Sequence, residues 1–600
     1  MSEPRRNFLA RLATGAGAVI GGCAAAATGA TLTAQRDDTH QAVNILDCMS
    51  SRVCKDALSG KPMLDHTREF QAALDSAVSA LIVPENCVFN LTRPLSVNKK
   101  IRLSGGGELR FTAGIANAAA ITVHGSGCDF DGVFLTNPNL LQARTGNRNV
   151  GILFRANSGS VTRSTIFQFQ NGIQVESDGE YHDFIIANNK ILDCIGAGGG
   201  PADTQSGYGE DRGDGITIWG CCATVTGNLV TAKAGQDCRV GIHVEALAEY
   251  HAYSFPLQDN LCTIVGNVVR GAFRRGVVTE NVNNTAITGN TCEGSTWWGI
   301  AVVRSRSCTV MGNAVIVSRP ASDRSGSSYA PIRAGIQVYG GAIQCIISGN
   351  TVDVTQGSAD AAISLQGLNS DSVAVLPKQG ATADGTPNIT LAKANPAIQI
   401  GQRISGTGVP PLTYVLSVAG ATVVASQSIK AGSLDVTFTW HERGQGITVT
   451  DNSVSCLAAG HVIGIWAQSQ DNPTISNNSL RAMGDFGISC YDVADPIVNG
   501  NTIIGQNSPR NGIDLRSNTS AAVLIGNIVE GFNGPDACGI AAEGRVGGVI
   551  SGNFLRDCKT DIDLYQCKSM SVTGNSSARC WRHYAVESSE HMIVKNNANC

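Results

Sequence analysis

Between Asp214 and Tyr339 the chain sets four side chains able to move protons, Asp214, His243, Glu245 and Glu280, among Arg239, Arg274, Arg275 and Arg304 and the aromatic rings of Trp219, Trp298 and Tyr339. Two carboxylates held close together repel, so one is expected to keep its proton near neutral pH, which yields an acid and a base or nucleophile from identical side chains. His243 is a candidate proton carrier. Guanidinium groups suit the carboxylates of acidic sugars through paired hydrogen bonds, and flat aromatic faces suit sugar rings. In an elimination an arginine would neutralise the uronate while a base removes the neighbouring proton. The same Glu/Arg pattern also suits a solvated ion-pair face, and Trp297 with Trp298 also suits filling a gap under a loop.

The elements that must position these groups are short and alike: DGITIW (214–219), VGIHVE (240–245), RGVVTE (275–280), WGIAVV (298–303) and AGIQVY (334–339). After each Gly, apolar residues recur with period two, so each segment reads as a strand with an inner and an outer face. Aligned on their glycines, the outer positions form one column at Gln174, Thr217, His243, Val278, Ala301 and Gln337, and a second at Glu176, Trp219, Glu245, Glu280, Val303 and Tyr339. Adjacent coils then place Glu245 and Glu280 about 5 Å apart at the backbone. A carboxyl separation of about 5–5.5 Å serves retaining glycoside hydrolysis, and a wider one admits the water of an inverting mechanism.

A second recurring motif, alternating apolar residues followed by Gly-Asn or Asn-Asn, ends at Asn228, Asn267, Asn290, Asn313 and Asn350 and resumes at Asn452, Asn478, Asn501, Asn527, Asn553, Asn575 and Asn597. A unit of about 22–26 residues fits one turn of a parallel β-helix with neighbouring strands about 4.8 Å apart. Asn suits the turn by tolerating left-handed backbone angles and by bonding to the next Asn in a ladder, so these residues are read as structural. The fold class expected is all-β, a right-handed parallel β-helix (solenoid) with a short N-terminal capping helix and a small inserted β-domain. The helix is expected over DHTREFQAALDSAV (65–78), N-capped by Asp65 or Thr67. The divisions expected are 1–34 as a signal, 35–110 as cap and first strands, 111–368 and 442–600 as the two parts of the solenoid, and 369–441 as the insertion. Two further inserts flank the chemical strands, CIGAGGGPADTQSGYGEDRGDG before Ile216 and EALAEYHAYSFPLQDN after Val244. Long loops in an economical coil carry function.

Arg5 and Arg6 before a Gly/Ala-rich apolar run read as a twin-arginine export signal, too short and too Gly-rich to span a membrane, with Cys23 an alternative lipid-attachment site. The expected location is therefore periplasmic or secreted. Removing residues 1–34 changes the net charge from −4 to −6, which gives no argument for nucleic acid as a partner. The 20 cysteines permit bridges such as Cys48–Cys54, Cys292–Cys308 or pairs among Cys558, Cys567, Cys580 and Cys600, and equally permit a stack of small buried thiols. No cysteine or histidine cluster has zinc spacing, and no cofactor is expected. A loose calcium site at Asp203, Glu210, Asp211 and Asp214 is the alternative.

FQAALDSA and LIVPE, following an acidic residue, resemble the start of pectate-lyase-like and tailspike β-helices, and residues 60–365 and 443–600 resemble the pectate-lyase and polygalacturonase-like class. The chain also resembles twin-arginine-exported bacterial repeat proteins of unassigned function. GDGI (213–216) resembles the acidic strand motif of polygalacturonases, which makes Asp214 the candidate acid by resemblance, and GIH (241–243) resembles their Gly-His motif. The Arg-Ile-Lys element, the calcium-binding aspartates of pectate lyases and the Asp-Pro-His of alginate epimerases are absent, so the resemblance implies the fold and not one activity. The function expected is cleavage of an acidic polysaccharide by hydrolysis or elimination. A non-catalytic glycan-binding envelope protein is the alternative, and an epimerase a third reading.

Overall fold

The computed structural model describes residues 42–600 outside 77–78, 113–117, 139–148, 197–212, 220, 236–237, 247–257, 319–331, 356–358, 368–371, 376–379, 399–401, 411–412, 440–442, 457–460, 507, 509, 517–519 and 600. The export signal, Cys23, most of both inserts flanking the chemical strands, and Asp203, Glu210 and Asp211 of the calcium alternative lie outside the described residues.

The chain is a right-handed parallel β-helix. Each coil gives one strand to each of three parallel sheets, as Phe273–Glu280, Ala286–Thr288 and Thr291–Glu293 do before the next coil begins at Trp298–Val303. Inside, equivalent residues stack coil upon coil: Ile216, Ile242, Val277, Ile300, Ile336 and Ile363 are register partners in succession, all fully buried. Each such stack removes apolar surface from water at roughly 25 cal/mol per Å2. Glycine precedes the first five of these residues because there is no room for a side chain; a Cβ on Gly241 would stand 2.6 Å from Gly276 O and 2.3 Å from Val269 Cγ1.

The Asn ladder fixes the turn between the second and third sheets. Each amide reaches the next Asn, as Asn267 Nδ2 does to Asn290 Oδ1 at 2.9 Å, and also a carbonyl of the coil before, as Asn267 Nδ2 does to Val225 O at 2.9 Å. Buried side-chain amides are costly unless satisfied, and here each satisfies its neighbour. The left-handed position is not the ladder Asn itself but the residue before it: Gly227, Gly266 and Gly289 have φ near +63°, and Asp451 and Asn477 take the same role at +57° and +55°. The short side chain that tolerates positive φ and the amide that bonds the next coil are thus two adjacent residues with separate tasks.

The N-terminal end is closed by two helices, Ser51–Ala57 and Thr67–Asp75; only the second has a sequence pattern that announces it. Phe70 turns into the first coil and meets Phe89 edge-on with ring centroids 5.4 Å apart. The N-cap position is His66, but the capping oxygen belongs to Asp65, whose Oδ1 accepts from Thr67 N at 3.0 Å. His66 is buried and ties the helices together through Asp56 Oδ2 at 3.0 Å. Between the solenoid strands Ala361–Gln366 and Thr448–Thr450, the chain forms an eight-stranded antiparallel sheet, from Ser372–Val375 to Val436–Thr439, with its own core around Ile389, Val415, Val423 and Phe438. The Asn ladder crosses this insertion, Asn350 Nδ2 donating to Asn452 Oδ1 at 2.9 Å. The described cysteines are free thiols, most of them buried in the coils, so none of the bridges considered between described positions is formed.

Candidate functional site

The strand register reproduces both outer columns. Thr217 pairs with His243 and Trp219 with Glu245; His243 pairs with Val278 and Glu245 with Glu280; Glu280 pairs with Val303 and Val303 with Tyr339. The face is nevertheless covered: Gln174, Thr217, His243 and Asp214 are all 0% exposed. Period two tells an inner face from an outer one and does not tell whether the outer face meets water.

Asp214, His243, Glu245 and Glu280 form one cluster with Arg239 and Arg275. His243 Nδ1 lies 3.5 Å from Asp214 Oδ2, and its Nε2 lies 3.3 Å from Glu245 Oε2 and 3.7 Å from Glu280 Oε2. Arg239 bridges three of them, with Nε 3.3 Å from Asp214 Oδ1, Nη2 3.7 Å from Glu245 Oε2, and Nη2 2.8 Å from His243 Nδ1. A guanidinium can only donate, so in the neutral ring Nδ1 accepts and the proton rests on Nε2, aimed between the two glutamates, while the imidazolium carries a proton on each nitrogen. Arg275 Nη1 donates to Glu280 Oε2 at 3.2 Å. Trp219 meets the imidazole edge-on at 6.3 Å.

At Glu280 the expected retention of a proton gives way to the neighbouring cations. Burial opposes ionisation of Glu280, but His243, Arg275 and Arg239 outweigh it and hold the carboxyl far below the ordinary range. Asp214 follows the same balance: burial pushes it up, while Arg239 and His243 pull it down. Burial disfavours the imidazolium, yet the charge of Glu245 and the contacts to Asp214 and Glu280 raise His243 above its usual value.

Asn171, Gln174 and Thr217 support the cluster; the outer column read from the sequence holds Gln174 and Thr217 without a role and does not include Asn171. Asn171 Oδ1 accepts from Asp214 N at 3.2 Å, its Nδ2 donates to Gln174 Oε1 at 2.9 Å, and Thr217 Oγ1 donates to Asp214 Oδ2 at 3.0 Å. The available signal was NGIQ (171–174), which occupies the same slot as DGIT (214–217) one coil earlier. The other binding candidates make contacts of their own beside the cluster, Trp298 being the register partner of Arg275. Arg274 lies over Trp297 at 5.4 Å, and Trp298 is buried with Nε1 donating to Ile332 O at 2.7 Å. Trp298, Val278 and Val303 form an apolar patch against which Tyr339 packs. Arg304 follows Val303, the register partner of Glu280.

No curated protein matches the chain. The family model described as "Periplasmic copper-binding protein (NosD)" matches residues 201–375, the stretch that holds the cluster. Among solved structures, the pre-mature gene product 12 of bacteriophage phi29 is similar over 93% of this chain and 72% of that one, at 11% identity and a TM-score of 0.51. The mannuronan C-5 epimerase AlgE4 A-module of Azotobacter vinelandii aligns over 80% of this chain and 100% of its own, at 12% identity and a TM-score of 0.45. The DFA-IIIase of Arthrobacter chlorophenolicus A6 aligns over 76% and 95%, at 11% identity and 0.43. No helix among the described residues is long and apolar enough to cross a membrane.

Proposed function

We propose that this β-helix is an exported, carbohydrate-active protein that cleaves an acidic polysaccharide by elimination. The carrying observation is that His243 sits within 3.7 Å of three carboxylates, of which Asp214 and Glu280 are held ionised. A glycoside hydrolase needs one carboxyl that keeps its proton. An elimination needs a carboxylate base, a proton donor for the leaving oxygen, and a cation beside the uronate. Here Glu280 or Glu245 takes the proton on the carbon next to the uronate carboxyl. The electron pair moves in to form the ring double bond as the glycosidic C–O bond breaks, and His243, as the imidazolium that its carboxylate neighbours favour, gives its Nε2 proton to the departing oxygen and is left neutral. Arg274 and Arg304 receive the substrate carboxylate, and the ring of Trp297 receives the sugar face. The match to a family described as periplasmic, together with Arg5–Arg6, supports action outside the cytoplasm. The copper of that description would meet an imidazole and carboxylate oxygens here, donors that suit a divalent ion and not a cuprous one.

A second reading is favoured by the burial of His243 and Asp214: a non-catalytic protein in which the cluster stiffens a glycan-binding face. Incubation of the purified protein with neutral and acidic polysaccharides, following unsaturated-uronate absorbance and reducing ends together, separates the two. New absorbance supports elimination. Reducing ends without absorbance replace it by hydrolysis at the glutamate pair, and glycan binding with neither signal establishes the second reading.

A further inference from the structure

We infer that His243, Glu245 and Glu280 form a binding site for a divalent first-row metal cation. It involves the same side chains as the proposed elimination but does not depend on turnover. One ligand atom from each residue lies within 4.8 Å of the others. The register makes this a property of the fold: Glu245 and Glu280 are direct partners on adjacent strands, and His243 precedes Glu245 by two residues on the same face.

The imidazole points to a ligand. His243 is fully buried, and its Nε2 makes no hydrogen bond. Its separations from Glu245 Oε2 and Glu280 Oε2, 3.3 and 3.7 Å, are long for a hydrogen bond. They are close to the edges of a tetrahedron whose centre is about 2.0–2.1 Å from each corner, roughly 3.3–3.4 Å. Two of the three edges therefore match to a few tenths of an ångström, and the third, between the two carboxylates, lies within 4.8 Å and closes as they turn onto the ion. With a metal on Nε2 the ring carries its proton on Nδ1, and Asp214 Oδ2, 3.5 Å away, is the acceptor that fixes that tautomer. Arg239 Nη2, which donates to Nδ1 at 2.8 Å, then turns toward Asp214 and Glu245. Arg275 on Glu280 supplies the hydrogen bond that a ligating carboxylate ordinarily keeps. Three protein donors leave one position open, the form of an exchanging site and not of a closed structural one. The Glu280 side chain is 21% exposed, so the cluster can be reached from solvent.

The test uses the full chain, stripped with chelator and titrated with zinc(II) by calorimetry and with cobalt(II) by visible absorbance. One equivalent of zinc and the intense visible bands of four-coordinate cobalt are expected. His243→Ala should abolish saturable binding and Glu280→Gln weaken it at least about 10-fold. Asp514→Asn should leave it unchanged. Circular dichroism in chelator establishes that each variant is folded, and Glu280→Gln, the least disruptive, carries the test if His243→Ala is not. Absence of saturable binding, or binding undiminished in folded Glu280→Gln, overturns the inference. Zinc binding without any elimination sinks the proposed activity and leaves the site standing; elimination by chelated protein that binds no zinc does the reverse.

Discussion

The column of Thr217, whose hydroxyl bonds Asp214, runs through His243, Gln337, Ser364, Trp466 and Ser489 to Asp514, eight strands on, and both aspartates are almost wholly buried. Both are also bonded to a nearby side chain: Thr217 donates to Asp214 at 3.0 Å, and Asn511 Nδ2 to Asp514 Oδ1 at 2.6 Å. Their acidities nevertheless move in opposite directions. Burial pushes Asp514 up, against a single half-exposed guanidinium, Arg516, and with the charge of Glu543 adding to the rise. Asp563, two coils further on, is also pushed up by burial and by Glu587. Around Asp214 two arginines and an imidazole reverse the balance. The lesson is that burial makes an ionisable group sensitive, and the neighbouring cations decide the sign. One strand motif, DGIT in one place and NGID in the other, therefore yields a carboxyl of lowered pKa in the first region and one of raised pKa in the second.

The largest test of this contrast is catalytic. Glu280→Gln is expected to lower turnover on the responsive glycan by about 10²–10⁴-fold with binding retained, whereas Asp514→Asn should stay within about two-fold. Steady-state rates and glycan affinity measured on both variants would relocate the active face to the C-terminal coils if the two effects were exchanged. Next in size is the scaffold that the regions share. Asn228→Ala and Asn527→Ala each remove an amide that bonds the next Asn and an earlier carbonyl, and each should cost about 2–4 kcal/mol by denaturant unfolding. Markedly unequal costs would mean that the ladder is not one uniform support.

The smallest effect is with pH. A carboxyl whose folded pKa is raised stabilises the fold below its unfolded value, near 3.9, and that contribution is lost as pH rises through the folded value. Hydrogen exchange in the coils around Asp514 and Asp563 should therefore quicken as pH is raised from about 4, after correction for intrinsic rates, and Asp514→Asn should flatten the trend. Exchange that slows instead would remove the distinction between the regions.

Much of this was legible in the sequence, for a definite reason. Glycine and period two fix where each strand begins, so the column that joins Glu245 to Glu280 can be written down without coordinates. What register cannot give is the direction of a long side chain: His243 enters between the glutamates, and a repelling pair becomes a bridged one. Asn171 escaped notice because its effect on Asp214 arises 43 residues away, in the preceding coil. The ladder was readable as a repeat, but the assignment of positive φ to the wrong partner of the Gly-Asn pair shows that a motif does not say which of its residues bears which constraint. The helix Ser51–Ala57, with no strong apolar stripe of its own, is held by packing.

The ladder bond from Asn350 to Asn452 joins positions 102 residues apart, where Asn290 and Asn313 are separated by 23. Closing the longer loop from an unstructured chain costs about 1.3 kcal/mol more in entropy, enough to make this joint the slow step of a coil-by-coil assembly. The terminal strands of the inserted sheet pair with one another, Ser372 opposite Thr439, so once that sheet has folded the chain leaves and re-enters at neighbouring points. The detour then counts as a short one. The order of events follows: the antiparallel sheet forms first and the coils close across it afterwards. Pulse-labelled exchange should show protection at Val423 and Phe438 before Val449 and Val454, and the opposite order would show that the coils meet without its help.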